Sequence, residues 1–317
     1  MGINTSGSVP SSNAILDLNT GNAGNRGVLI PNVTLGASLS TFTPPMANAP
    51  NAGDKGMIVY NSVATNQPVG YYYWNGAAWV EVGSGSLINV LYITAPTAGA
   101  IHFDQGTSSI LYKVLGAGGA GGGVQWTSCN YVDNAGSGGG AGAYIEGYLN
   151  GLSSISTYSV VLGPGGVGVA ACSGQAQNGS NTVLTIVNPV VILTAHGGNG
   201  GMAIGSNTTA SALGGAGGVG VASAGSPLII TGASGGRAVI STNGVNNDLA
   251  GAGGSTLFGS GGMSLDNKDP VQYPGQSATV YGAGGGGAIM SAANATHNSN
   301  QPGGNGGPGI VIIYEYR

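Results

Sequence analysis

The sequence predicts an all-β protein. A small N-terminal β module precedes an antiparallel β base that carries a bundle of packed glycine-rich extended helices of the polyglycine II type, with essentially no α-helix. Three observations lead there. Glycine supplies 65 of 317 residues, far above its average usage of about 7%. The glycines fall in tracts joined directly to apolar strands, as in residues 108–123, SSILYKVLGAGGAGGG. No segment shows a helical period, and helix formers are scarce. Hydrophobic residues make up 41%, charged residues 5%, and the net charge is −4. This is the reverse of the low-hydrophobicity, high-charge balance of a disordered chain.

Residues 1–83 form a first unit. SSNAILDLNTGNAGNRGVLIPNVTL alternates short apolar runs with Asn/Gly turns, and GDKGMIVYNS, GYYYWNG and AAWVEVG read as three short strands. Asn75-Gly76 between aromatic and β-branched residues is a hairpin signal. The aromatics Tyr71–Trp74 and Trp79 either pack within the module or between subunits, or form a sugar-stacking platform. Ser12–Asp17, Gly27–Pro31, Val59–Asn61 and Tyr72–Gly76 resemble a module of surface proteins and phage fibre proteins of the Bacteroidota. The resemblance implies an origin and a role in attachment to the virion.

Residues 84–86 read as a joint with Gly83, and 87–317 as the second unit. Strands are expected at 87–93, 99–103, 109–115, 143–149, 157–162, 182–187, 190–195, 237–241 and 309–316. Glycine tracts fall at 116–123, 136–142, 163–168, 197–201, 214–220, 232–236, 251–254, 259–262, 282–287 and 303–309. They lack the strict every-third glycine of collagen. A three-residue-per-turn extended helix has no internal hydrogen bonds, so its N–H and C=O groups must find partners on neighbouring chains. Such chains approach closely only where no Cβ intervenes. Glycine is therefore expected at the packed positions, and alanine on outer faces.

LYKVLGAGGAGGG, GGGAGAYIEGYL, TYSVVLGPGG, LTAHGGNGG and GGNGGPGIVIIYEY resemble the glycine-rich domains at the ends of bacteriophage fibres and adhesins. The resemblance implies a polyglycine sandwich whose loops at one end contact a host receptor. It also implies a homotrimer, since fibres of this kind are usually trimeric.

Strand and tract order gives the direction of each loop. Strand 109–115 sits in the base, so tract 116–123 runs outward and loop 124–135 is distal. The same reasoning makes loops 169–180, 202–213 and 288–302 distal, and leaves loop 263–281 open to either side. Trp126, Asn130, Tyr131, Asp133, Asn207, His297 and Asn298 are the candidate receptor contacts, their aromatic faces and amides suiting sugars or polar protein surfaces. Trp126 and Tyr131 are equally placed to cap the bundle against water. Cys129 and Cys172 both fall in distal loops and are a candidate disulfide.

Other chemistry finds little support. Six scattered basic residues offer no patch for nucleic acid. No run is long enough for a membrane helix, and the N-terminus lacks the pattern of a signal peptide. Gly116–Gly121 matches a dinucleotide fingerprint after a strand, but the next residues, GGVQWTSCN, cannot form the required helix. His102, His196 and His297 lack companions at ligand spacing, and Asp266, Asn267 and Asp269 read as a polar turn before Pro270 rather than a Ca²⁺ loop. No cofactor, metal or catalytic residue is expected. The expected role is a non-catalytic virion fibre or spike, assembled in the host cytoplasm and exposed on the virion. Its expected partners are other virion proteins and a host receptor, either a glycan or an outer-membrane protein. The alternatives are a bacterial surface adhesive protein and, less favoured, an ice-binding protein, which wants a flatter and more regular face.

Overall fold

The structure is a computed structural model. It describes residues 29–41, 52–83, 85–125, 133–171, 173–206, 209–241, 248–267, 272–291 and 299–317. The chain divides into two compact units, Met1–Ser84 and Gly85–Arg317. Among the described residues there is no α-helix; a 3-10 turn spans Ala52–Asp54.

The first unit holds a four-stranded sheet in chain order, Asn32–Val33, Ile58–Asn61, Gly70–Trp74 and Trp79–Glu81. The first pair is parallel and the others antiparallel. Alternation sends Val59, Tyr72, Trp74 and Trp79 to one face, where they bury against Leu35. Trp74 and Trp79 meet edge-on at 5.5 Å. Asn61, fully buried, ties the loops to this core: its Oδ1 accepts from Leu35 N, and its Nδ2 donates to the carbonyls of Val63, Gln67 and Pro68. The Asn75-Gly76 signal does mark the hairpin, but with a longer loop than the two-residue turn. Trp74 pairs with Trp79, and Asn75 Oδ1 accepts from the amides of Ala77 and Ala78.

The base of the second unit is a sandwich of two five-stranded sheets. One runs Leu228–Ile230, Tyr144–Asn150, Ser109–Leu115, Ile310–Tyr316, Leu87–Ile93; the other runs Gly220–Ala222, Val191–Ala195, Thr182–Val187, Thr157–Val161, Ile101–His102. The inward residues of alternating strands form one core, with Ile110, Val114, Ile145, Val311 and Ile313 facing Val160, Leu184, Ile186 and Leu193. Each such side chain contributes roughly 1.5–3 kcal/mol on burial. Glu315, also buried, accepts from the Asp104 amide and the Thr107 hydroxyl at 2.9 and 2.7 Å.

Above the base the chain runs out and back in extended glycine-rich tracts. Tract 116–123 lies at the centre. The amides of Ala117 and Ala120 donate to Ser180 and Gln177, those of Gly118 and Gly121 to Gly307 and Gly304, and those of Gly119 and Gly122 to Gly140 and Ser137. Every third residue thus addresses the same neighbour, the signature of a threefold extended helix. Its carbonyls accept from three further tracts, through Gly166, through Gly198 and Gly201, and through Gly285 and Ala288. Tract 136–143 is surrounded in the same way. A Cβ added at Gly118, Gly119, Gly121 or Gly122 would stand closer than 3.0 Å to a neighbouring backbone. This is the close approach that glycine is expected to serve.

The expectation about alanine needs correction. Ala117, Ala120, Ala141 and Ala143 are fully buried in the two most enclosed tracts. Ala117 and Ala120 lie one turn apart and so share one side of the rod. Register against the neighbours, not exposure, decides which column accepts a methyl.

Candidate functional site

At the far end of the tracts the chain forms a second pair of sheets. The larger is ordered Gly174–Gln175, Met202–Ser206, Asp133–Gly136, Ile289–Ser291, Gln272–Tyr273; the smaller is Ala210–Ala212, Ala238–Ile240, Asp248–Ala250, Leu265–Asn267. Most of these strands adjoin a glycine tract within a residue or two; Gly174–Gln175 and Gln272–Tyr273 do not. Where residues with larger side chains resume, as at Met202-Ala203-Ile204 and Ile289-Met290, backbones can no longer pack in six directions. They pair in two, as a sheet. Ser137 manages one such handover: its hydroxyl accepts from Met202 N at 2.7 Å and donates to Leu213 O at 2.8 Å.

The two sheets pack through Ala135, Ala238 and Ile240, with Ile204 and Ala210 beside them. Asp133 precedes Ala135 by two residues in the same strand and so shares its inward face. It lies near Asp248 of the opposing sheet, and both are buried. Asp248 Oδ1 accepts from Ser241 N at 3.0 Å, while Oδ2 has no hydrogen-bond partner among the described residues. Burial pushes the Asp248 carboxyl up to about 6 and the nearby Asp133 adds to this, against the lowering effect of the Ser241 bond. On the other face of the strand, Asn134 is 1% exposed, and among the described residues neither polar atom of its side chain has a hydrogen-bond partner.

Of the residues marked by the sequence as receptor contacts, Asp133 falls within the described residues, and it is 7% exposed. It belongs to the interior of the outer layer, not to an open contact surface. Trp126, Asn130, Tyr131, Asn207, His297 and Asn298 lie outside the described residues, as do Cys129 and Cys172.

The flanking strands are described, and they converge. Residues 126–132 lead into Asp133–Gly136; 207–208 join Met202–Ser206 to Ala210–Ala212; 242–247 join Ala238–Ile240 to Asp248–Ala250; 292–298 come after Ile289–Ser291. The flanks of 268–271, Leu265–Asn267 and Gln272–Tyr273, lie in the same two sheets. The described flanks of loop 263–281, whose side the sequence leaves open, thus belong to the outer layer. Among the described residues no three His, Cys, Asp or Glu side chains stand together as a metal site.

Sequence reasoning missed the rim of the bundle. Asn178 and Asn181, three residues apart on one tract, present Oδ1 atoms to the amides of Gly200 and Gly197 at 2.8 and 3.2 Å. Gln177 does the same for Val167, and Asn305 for Gly168. Side-chain amides stand in where no further tract is present to accept. The signal that could have found them is Gln and Asn at one-turn spacing in QNGSN.

Two comparisons with protein families bear on this arrangement. Residues 94–316 match the model of a glycine-rich domain, and residues 2–98 match that of a phage tail like trimerisation region. No curated protein matches the chain.

Proposed function

We propose, from the premise that this chain belongs to the glycine-rich domain family, that it is a virion fibre or spike protein whose distal loops bind a host-cell receptor. The two family matches suggest a structural, fibre-like protein, and the trimerisation region supports a homotrimer. One observation carries the binding role: the strands flanking residues 126–132, 207–208, 242–247, 268–271 and 292–298 all end in one outer layer, on a cross-bonded bundle. A cross-bonded scaffold that gathers several connections at one end suits recognition. Trp126, Asn130, Tyr131, Asn207, His297 and Asn298 sit in these connections. They supply aromatic and amide groups for a glycan or an outer-membrane protein. The N-terminal unit would join the fibre to other virion proteins, and the whole would stand on the virion surface without catalytic activity.

The test exchanges loops 124–135 and 288–302 for those of a glycine-rich fibre with a different host range and measures adsorption. Altered or lost adsorption is expected; unchanged adsorption and host range would overturn the binding role. Mass spectrometry of purified particles checks the location, and absence of the protein there would overturn the virion reading.

A further inference from the structure

The N-terminal sheet has a second face, and its composition is unlike that of a solvated surface. Strand alternation that sends Val59, Tyr72, Trp74 and Trp79 inward sends Ile58, Tyr60, Tyr71, Tyr73 and Val80 outward. Register aligns them across the sheet: Ile58 opposite Tyr73, Tyr60 opposite Tyr71, and Tyr73 opposite Val80. The Val82 amide bonds to the Tyr71 carbonyl at 2.7 Å and extends the row by one residue. Tyr60 and Tyr71 rings lie 5.0 Å apart. Ile58, Tyr71 and Val82 are 46%, 50% and 53% exposed, and none of the six residues is charged. An antiparallel sheet with one wet face ordinarily makes that face polar. A contiguous apolar, aromatic face marks an interaction site.

We propose that this face, Ile58, Tyr60, Tyr71, Tyr73, Val80 and Val82, is the surface through which three copies of the chain associate. The inference rests on the homotrimer reading above and assigns its contact. The residues lie within the stretch that matches a trimerisation region. Their character is that of an interface centre, enriched in tyrosine and depleted of charge. An uncharged face offers nothing to steer a charged partner, whereas it is complementary to itself. Three such faces turned toward a threefold axis enclose an apolar prism, with the tyrosine hydroxyls left to bond at its edges. Threefold closure also leaves no such face open for further growth.

The test measures the mass of the full chain in solution by light scattering, for wild type and for the double variant Tyr71→Glu/Tyr73→Glu. Wild type is expected to be trimeric. The double variant is expected to be monomeric at concentrations where wild type is fully assembled, a weakening of at least about a hundredfold. A trimeric double variant would overturn this face and leave the homotrimer reading standing; a monomeric wild type would overturn both. Should the variant fail to fold, hydroxyl-radical labelling of the wild-type assembly decides. Tyr71 and Tyr73 should be protected relative to exposed Tyr273, and equal labelling of all three would overturn the proposal.

Discussion

The amide of Gly119 donates to the carbonyl of Gly140 at 2.9 Å, joining the two most enclosed tracts. One residue along from Gly140, a Cβ added to Gly139 would overlap the Gly119 carbonyl. The hydrogen bond and the missing side chain are one fact: main chains bond in every direction only because nothing separates them. The many glycines, each costly in chain entropy, are offset by a bundle in which nearly every amide of the central tract finds a carbonyl.

Neighbouring positions in that tract should therefore respond in opposite ways to a single methyl. Gly119→Ala drives a Cβ into the backbone at Asn199 and should cost on the order of 4 kcal/mol or more, the range reserved for gross core disruption. Ala120→Gly removes a buried methyl and adds chain freedom, at about 1–2 kcal/mol. Thermal unfolding of the two variants checks this; similar losses would mean the tracts are not close-packed at Gly119.

Amide exchange supplies a second measure. Gly119, Gly122, Gly139 and Gly140 donate to backbone carbonyls of other tracts and are buried. Exchange should require opening of the bundle and be slowed by several orders of magnitude, as for core strands. Exchange of these glycines within seconds would show the tracts to be open coil.

Much of this architecture is legible in the sequence, for identifiable reasons. LINVLYI, SILYKVL and IVIIYEY alternate or run apolar and are β-branched, and they form base strands within about a residue of expectation. DNAG, DLA and LDN do form strands in the outer layer, but their residue types favour turns. They pair because adjacent tracts deliver them side by side, a tertiary cause with no local trace. Asp133 for this reason reads as a loop residue in the sequence, and the pairing carries it into the interior. Counting tracts outward and back, by contrast, needs only the order of the glycine runs; it sends loops 124–135, 202–213 and 288–302 to the end where their described flanks lie, but it leaves loop 263–281 open because the tracts around it allow either parity.

The rim predicts a modest, directional effect. Asn178 accepts from the amide of Gly200, which is buried. Asn178→Ala leaves that N–H without its acceptor and should destabilise by about 1–2 kcal/mol. Asn178→Asp keeps an acceptor at the same place and should lose less. Equal losses in the two variants would show that the amide serves some purpose other than capping Gly200.

The outer layer carries a pH dependence whose sign is set by Asp248. Its carboxyl is raised from 3.8 to about 6, first by burial and then by Asp133. The folded state therefore holds this proton more tightly than the unfolded chain does. The resulting contribution to stability is fully present below about 3.8 and is lost as pH rises through about 6. Above that, the ionised side chain is buried near Asp133, with Oδ2 lacking a hydrogen-bond partner among the described residues, a deficit on the order of 2–3 kcal/mol. Asp248→Asn keeps the acceptor for Ser241 N and places a neutral donor where Oδ2 stood. The variant should melt higher than wild type at pH 7.5. The gap should close as pH falls below 5, where wild type is itself protonated. A constant difference in melting temperature across this range would show that Asp248 keeps one charge state in both folded and unfolded chains.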